Sequence, residues 1–408
     1  MKIFTFLTLI AIVFSCSNGN PRKKSTSKMN EFKKGTYGYD LNFLKAHTNP
    51  VELQNGDARI ILSPEYQGRV MTSSAAGEEG LSYGWINYDL ISSGEVVKHI
   101  NPVGGEERFW LGPEGGQFSI FFKEGGSFNL DDWQTPACID TEEFELIGFG
   151  ETAAEFTKSV TFKNYSNFQF QLDINRKILL LTDLELKTEL GIDLPKEIKS
   201  VGYKTINQLR NTGSVDWKKE TGLLSVWLLG MFNPSPGVTI VVPYKTGVES
   251  DYIVKDDYFG KIPADRLVVK NGFVFLKGDG KQRGKIGIPP QRALPVLGSY
   301  DAHNKILTIV KTEIPEGVTG YVNSAWELQE FPYKGDAINS YNDGPVEDGG
   351  QLGPFYELET SSPALALKAG ETASHSQATF HFQGSEEELD KICRQVLNIS
   401  LDEIKAVF

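Results

Sequence analysis

The sequence predicts an all-β, antiparallel protein: one large sandwich of short strands, closed by a short C-terminal helix. Three observations predict it. Apolar and polar residues alternate with period two in FQFQLDIN (Phe168 to Asn175) and in ATFHFQ (Ala378 to Gln383). Turn signals recur between such segments in a chain that holds 41 glycines. No strand–helix–strand alternation and no fixed repeat appears, which argues against doubly wound, propeller and solenoid folds.

The elements follow in order. Lys2 and the apolar run Ile3–Phe14 read as a secretory signal over residues 1–15, too short to span a bilayer. Val13-Phe14-Ser15-Cys16 resembles a lipoprotein cleavage box, with lipidation at Cys16 as one reading and ordinary cleavage as the other. Residues 16–36 are polar and rich in Lys, Ser and Asn, and read as a flexible tether. The folded domain is expected over 37–408. VTIVVPY (Val238–Tyr244) is a continuous β-branched run, expected to be a strand buried on both faces. RLVVKNGFVFLK (Arg266–Lys277) places Asn271-Gly272 between two apolar runs, a hairpin signal. ILTIVKTEI (Ile306–Ile314) is another strand. Ser385 caps a helix in the tail 385–408, with Leu389, Ile392, Cys393 and Val396 as its apolar stripe, and Ser400 opens a second short one. The tail is expected to cover a sheet edge.

The net charge of −12 argues against a nucleic-acid partner, since phosphate binding needs a basic footprint. It is nearly irrelevant to a neutral ligand. Cys138 and Cys393 lie far apart with no CxxC pair, so neither a disulfide framework nor a zinc knuckle is expected. No HExxH, phosphate loop, GxSxG or dinucleotide fingerprint occurs. No cofactor or metal site is therefore predicted. The one place for calcium is the acidic loop of Asp343, Glu347 and Asp348, whose spacing matches no EF-hand.

Two stretches carry chemistry. GGEERFWLGPEGGQ (Gly104–Gln117) brackets a short strand, RFWL, with glycine pairs. Arg108 offers a bidentate fork and Trp110 an aromatic platform, with Glu107 and Glu114 as hydroxyl acceptors. The alternative is a core strand that buries Phe109 and Leu111 and leaves Arg108 to neutralise a glutamate. The second stretch runs from Asn342 to His375. In PFYELET, Phe355, Glu357 and Glu359 share one strand face, and two carboxylates on a cleft wall suit acid/base work. Exposed glutamates on a solvent-facing strand are the alternative. Trp326 and Asn342 complete the candidate ligand contacts. Trp227, flanked by leucines, is read as core. His99, in VVKHINPVGGEERFW, is a candidate acid.

ELETSSPALALKAGETASHSQATFHF resembles the terminal signature of the galactose mutarotase-like, or aldose 1-epimerase-like, superfamily: a strand-borne glutamate, a nearby proline, Leu-x-x-Gly-Glu, a histidine and an alternating strand. ARIILSPEYQGRVMTSSA (Ala58–Ala75) resembles its opening strands. The resemblance implies a β-supersandwich with a carbohydrate cleft on one sheet face. It implies Glu359 as the base, with Glu357 as fallback, and leaves His375 structural. The superfamily's acid is a histidine in a strand-to-loop turn, whereas this chain has no histidine between His99 and His303. The acid is then His99 or a protonated glutamate. Two functions follow. One is a carbohydrate-active enzyme of the aldose 1-epimerase or a lyase-like kind. The other is a non-catalytic carbohydrate-binding protein. Either partner is a mono- or oligosaccharide, and either protein sits in the bacterial cell envelope, lipid-anchored, periplasmic or associated with the outer membrane.

Overall fold

The computed structural model describes residues 32–346 and 349–408. The signal and Cys16 lie outside the described residues, as do most of the tether and Glu347 and Asp348 of the acidic loop.

Every strand pairing is antiparallel. A ten-stranded sheet runs, in spatial order, Leu267–Lys270, Phe273–Lys277, Val238–Pro243, Val296–Asp301, Ile306–Thr312, Thr372–Gln383, Lys199–Asn211, Gln169–Leu180, Ala153–Lys163, Glu145–Phe149. A five-stranded sheet runs Gly284–Ile288, Ile338–Asn342, Tyr356–Ser361, Ser225–Phe232, Arg108–Gly112. A three-stranded sheet, Val51–Asn55, Ala58–Ser63 and Arg69–Ser74, follows a helix at Tyr37–His47.

The sequence patterns explain the pairing of faces. Gln169–Leu180 alternates exposed or half-buried with buried residues along its length. Its buried members Phe170, Leu172, Ile174 and Ile178 meet Phe109, Leu111, Val226 and Leu228 of the five-stranded sheet. Farther along the sandwich, Ile286, Ile288 and Leu358 meet Ile240, Val242 and Val310. Val241, between Ile240 and Val242, packs on the opposite face of the large sheet. The β-branched run is thus covered on both sides. At the hairpin, Asn271 and Gly272 adopt φ of 54° and 83°, the two positive values a two-residue type I′ turn requires.

The C-terminal helix Glu386–Val396 begins at Ser385, whose hydroxyl accepts from the Glu388 amide. It does not cover a sheet edge. Leu389, Ile392 and Cys393 pack beside Phe275, Leu307, Ile309 and Phe380 on the outer face of the ten-stranded sheet. An unanticipated helix, Asp183–Leu190, closes by a capping box between Thr182 and Glu185. Its Leu186 and Leu190 join the same outer cluster.

A polar seam crosses the core between the sheets. Arg176 donates to Glu107 at 2.8 Å with both side chains fully buried. Thr205 and Gln377 also donate to Glu107, at 3.0 and 3.2 Å. Thr360 donates to Gln377 at 2.8 Å, so its oxygen accepts from His375 Nε2 at 3.0 Å, which fixes the Nε2–H tautomer. The seam ends on the back of the strand that carries Glu357 and Glu359.

Candidate functional site

The outward face of the five-stranded sheet is the floor of a cavity of about 530 Å³. Strand register sets its layout. One row across the sheet reads Gly287, Asn339, Glu359, Leu229, Arg108. Lys255 extends the row beyond Gly287 through a backbone bridge. On one side lies the row Lys285, Tyr341, Glu357, Met231. On the other lies Ser361, Trp227, Trp110. Glu357 and Glu359 share this face because they are two apart on a strand.

Glu359 is fully buried just beneath the floor. Its Oε2 accepts from Trp227 Nε1 at 2.8 Å and from Lys285 Nζ at 3.0 Å. Its Oε1 is buried with no hydrogen-bond partner among the described residues. Lys285 is itself nearly buried, lines the cavity and lies 4.4 Å from the Trp227 ring centre. Burial alone would push its ammonium downward. The surrounding Glu359, Glu114 and Glu357 outweigh that and hold its pKa above the usual lysine range. Lys285 is a fixed cation, not an acid that works near neutrality.

Glu114 lines the cavity and accepts from Trp326 Nε1 at 3.1 Å. Burial raises its pKa, with Lys285 and Trp326 pulling the other way. Glu357 is pushed well above the ordinary carboxyl range by burial and then by the charge of Glu359, against Lys285 and Arg108. The site therefore brings a cation-paired carboxylate together with two carboxyls that keep their protons to higher pH.

Two walls complete the cavity. Asp336 accepts from the Tyr252 hydroxyl at 2.9 Å and from that of Tyr258. This corner lies where a side chain at Gly287 would project, its Cβ falling 2.2 Å from Asp336 Oδ2. On the other wall Trp326 stacks on Trp133 with ring centres 5.6 Å apart, and Trp133 stacks on Phe121 at 5.8 Å. The pile backs the Trp326 ring at the cavity side.

The predicted residues divide accordingly. Glu114 and Trp326 line the cavity, and Glu359 and Glu357 lie in its floor rows. Arg108 shares Glu359's row two strands away, about 10 Å across the sheet. It does not reach the cavity: it is fully buried, donates to Asp140 at 2.6 Å and stacks over Trp110 at 4.3 Å. Trp110 is buried behind Trp227, edge to face at 5.3 Å. Glu107 points the opposite way, into the seam with Arg176, because it alternates with Arg108. Asn342 likewise faces away. It pairs with Tyr356, on the core side of the strand, and binds the backbone of Gly280 and Gln282 at 2.9 Å each. His99 contacts the Trp133 carbonyl at 2.5 Å and is separated from the cavity by the Trp133–Trp326 stack. Asp343 of the acidic loop accepts from Tyr341 and from the Gly353 amide. Among the described residues no three acid, histidine or cysteine groups are placed to hold a metal ion.

Sequence reasoning missed Lys285. Its reading of Trp227 as core holds, since the ring is buried in a core cluster, but it missed that the same residue also lines the cavity. The alternation Arg283, Lys285, Gly287 against Gly284, Ile286, Ile288 was a signal for the first. For Trp227 no signal existed, because its strand is apolar on both faces.

The model of a family of unknown function, DUF6786, matches residues 35–408. No curated protein matches the sequence significantly. Among solved structures, the fold is similar to a galactose mutarotase-like protein from Lactobacillus casei, at 10% identity and a TM-score of 0.47, over 82% of this chain and 100% of that one. It is also similar to a galactose mutarotase related enzyme from Lactobacillus acidophilus, at 8% identity and a TM-score of 0.46, over 82% of this chain and 97% of that one.

Proposed function

The chain belongs to the DUF6786 family, and we propose that it binds a saccharide in the cavity over the five-stranded sheet and acts on it near the anomeric carbon. One observation carries this reading: Glu359, with an unpartnered Oε1, sits under a floor whose accessible surface includes Trp227, with Trp326 at its side. Indole faces stack on the apolar faces of sugar rings, and the carboxylate takes a hydroxyl proton. Glu114, whose burial keeps it protonated to higher pH, is the acid in place of the missing histidine. Lys285 covers Glu359 in the unliganded chain, so ligand hydroxyls must displace its ammonium before Glu359 acts. That cover also favours the second reading, a carbohydrate-binding protein without turnover.

A panel of mono- and oligosaccharides, read by tryptophan fluorescence and by NMR of the anomeric protons, tests both. The enzyme reading expects turnover by the wild type, and binding without turnover by Glu359→Gln. Binding without turnover by either protein selects the second reading. Absence of binding across the panel refutes both.

The same proposal places the protein in the cell envelope, anchored by lipid at Cys16. Metabolic labelling with a fatty acid is expected to mark the wild type and not Cys16→Ala.

A further inference from the structure

One wall of the cavity carries cations at successive cavity-facing positions. Arg283 and Lys285 are two residues apart on or beside the strand Gly284–Ile288, about 7 Å along it. Lys255 stands opposite Gly287, the next cavity-facing position. All three line the cavity. Lys285 is committed to Glu359. Arg283 and Lys255 have no ion-pair partner among the described residues, in a chain of net charge −12 where acids are abundant.

Arg283 is held rather than free. Its guanidinium carbon stacks 3.7 Å from the centre of the Phe259 ring, and its Nε is buried with no hydrogen-bond partner among the described residues. Lys255 lies 4.7 Å from the Tyr258 ring centre. A guanidinium stacked on an aromatic face keeps the edge of its fork available, the arrangement suited to a planar carboxylate or a sulfate. The nearby carboxylates feel these cations without pairing with them. Asp343 and Glu114 lie in the field of Arg283 but are engaged by Tyr341 with the Gly353 amide and by Trp326, respectively. Asp336 lies in that of Lys255 but is engaged by two tyrosines, and Asp257 and Glu327 are exposed at the rim. The cavity's volume of about 530 Å³ lies in the range that takes ligands of drug size, and its rim carries exposed Leu130 and Phe259.

We infer that the saccharide is acidic: an oligosaccharide whose carboxylate or sulfate groups are read by Arg283 and Lys255 along this wall. The inference rests on the carbohydrate reading of the same cavity.

The experiment compares matched ligands by calorimetry at two salt concentrations: an oligogalacturonide, its methyl-esterified neutral form, and a sulfated oligosaccharide with its desulfated form. The wild type is expected to bind one acidic form roughly tenfold or more tighter than its neutral match, with the margin shrinking at high salt. Which pair shows the margin identifies carboxylate or sulfate as the group read. Arg283→Met is expected to abolish most of the margin while leaving the neutral form's affinity and the unfolding midpoint near wild type. Lys255→Gln, lying at the other end of the wall, serves as a second probe should Arg283→Met fail to fold. Neutral forms binding as tightly as both acidic ones overturn the inference and leave the carbohydrate reading standing. Binding of none of the four, with a neutral saccharide of the broader panel bound, overturns the inference alone; absence of binding across that panel as well overturns both.

Discussion

Lys285 reaches across one strand and one row of the sheet to place its ammonium 3.0 Å from Glu359, a residue with no exposed surface. The contact couples the proposed proton acceptor to a cation at the cavity surface. It also makes two nearly buried charges depend on each other.

Removing either member alone leaves a buried charge uncompensated, which costs about 3–5 kcal/mol when solvent cannot enter. Lys285→Met is therefore expected to lower unfolding free energy by roughly 3 kcal/mol. Adding Glu359→Gln is expected to restore much of that loss. A denaturation double-mutant cycle checks it. Additive losses would show that the two side chains do not interact.

The Lys285–Glu359 pair also shows where the sequence was legible. The period-two pattern of ELETS was enough to put Glu357 and Glu359 on one face, and RFWL to put Arg108 and Trp110 on another strand's face. Capping at Ser385 and the Asn271-Gly272 hairpin follow from local chemistry. What the strands meet was not legible. Arg108 has the right face and register, yet Asp140, thirty-two positions on, occupies its fork. Glu107 finds Arg176 across the sandwich, sixty-nine positions away. Lys285 is matched to Glu359 only by strand order, which no single strand's pattern encodes.

The seam between the sheets gives a pH signature. Burial lowers the pKa of His375 to about 4. The unfolded chain then binds more protons than the folded one between about 6.5 and 4, so this residue's stabilisation is full above pH 6.5 and is lost as pH falls towards 4. Asp40, outside the seam on the helix Tyr37–His47 and buried against Ser82 and Tyr88, acts in reverse. Burial raises it to about 6, so its contribution is full below about pH 4 and is lost as pH rises through 6. Each is worth ~3 kcal/mol over its window, and the two oppose. Relative to the wild type, His375→Gln is expected to remove a rise in stability between pH 4 and 6.5, and Asp40→Asn to remove a fall between pH 4 and 6. Urea titrations across this range measure both slopes. Variants with the wild-type profile would contradict both assignments.

Aromatic positions separate the cavity from its support. Trp326 lines the cavity, whereas His99 lies beyond the Trp133 ring behind it. Trp326→Ala is expected to weaken saccharide binding by roughly tenfold, the loss of one stacking platform and of a donor to Glu114. His99→Ala is expected to leave affinity unchanged. An equal loss in both variants would place the ligand elsewhere.

Gly287 tests the wall from the opposite side. It lies next to Asn339 in Glu359's own row, and Lys255 crosses it on the other side. A methyl group there would fall 2.2 Å from Asp336 Oδ2 and 2.7 Å from the Tyr258 hydroxyl, closer than real contacts allow. Neither group can retreat without breaking the other's hydrogen bond, since Tyr258 and Tyr252 both donate to Asp336. Gly287→Ala is thus expected to push the Asp336–Tyr258 corner into the cavity. Overpacking of this kind costs about 1–3 kcal/mol. Ligand affinity should fall with it, whereas Gly148→Ala, on the edge strand of the large sheet where nothing lies within 4 Å, should change neither. Calorimetry with any ligand of the wild type, alongside unfolding midpoints, reads both effects. Unaltered affinity in Gly287→Ala would mean that the Asp336 corner takes no part in binding.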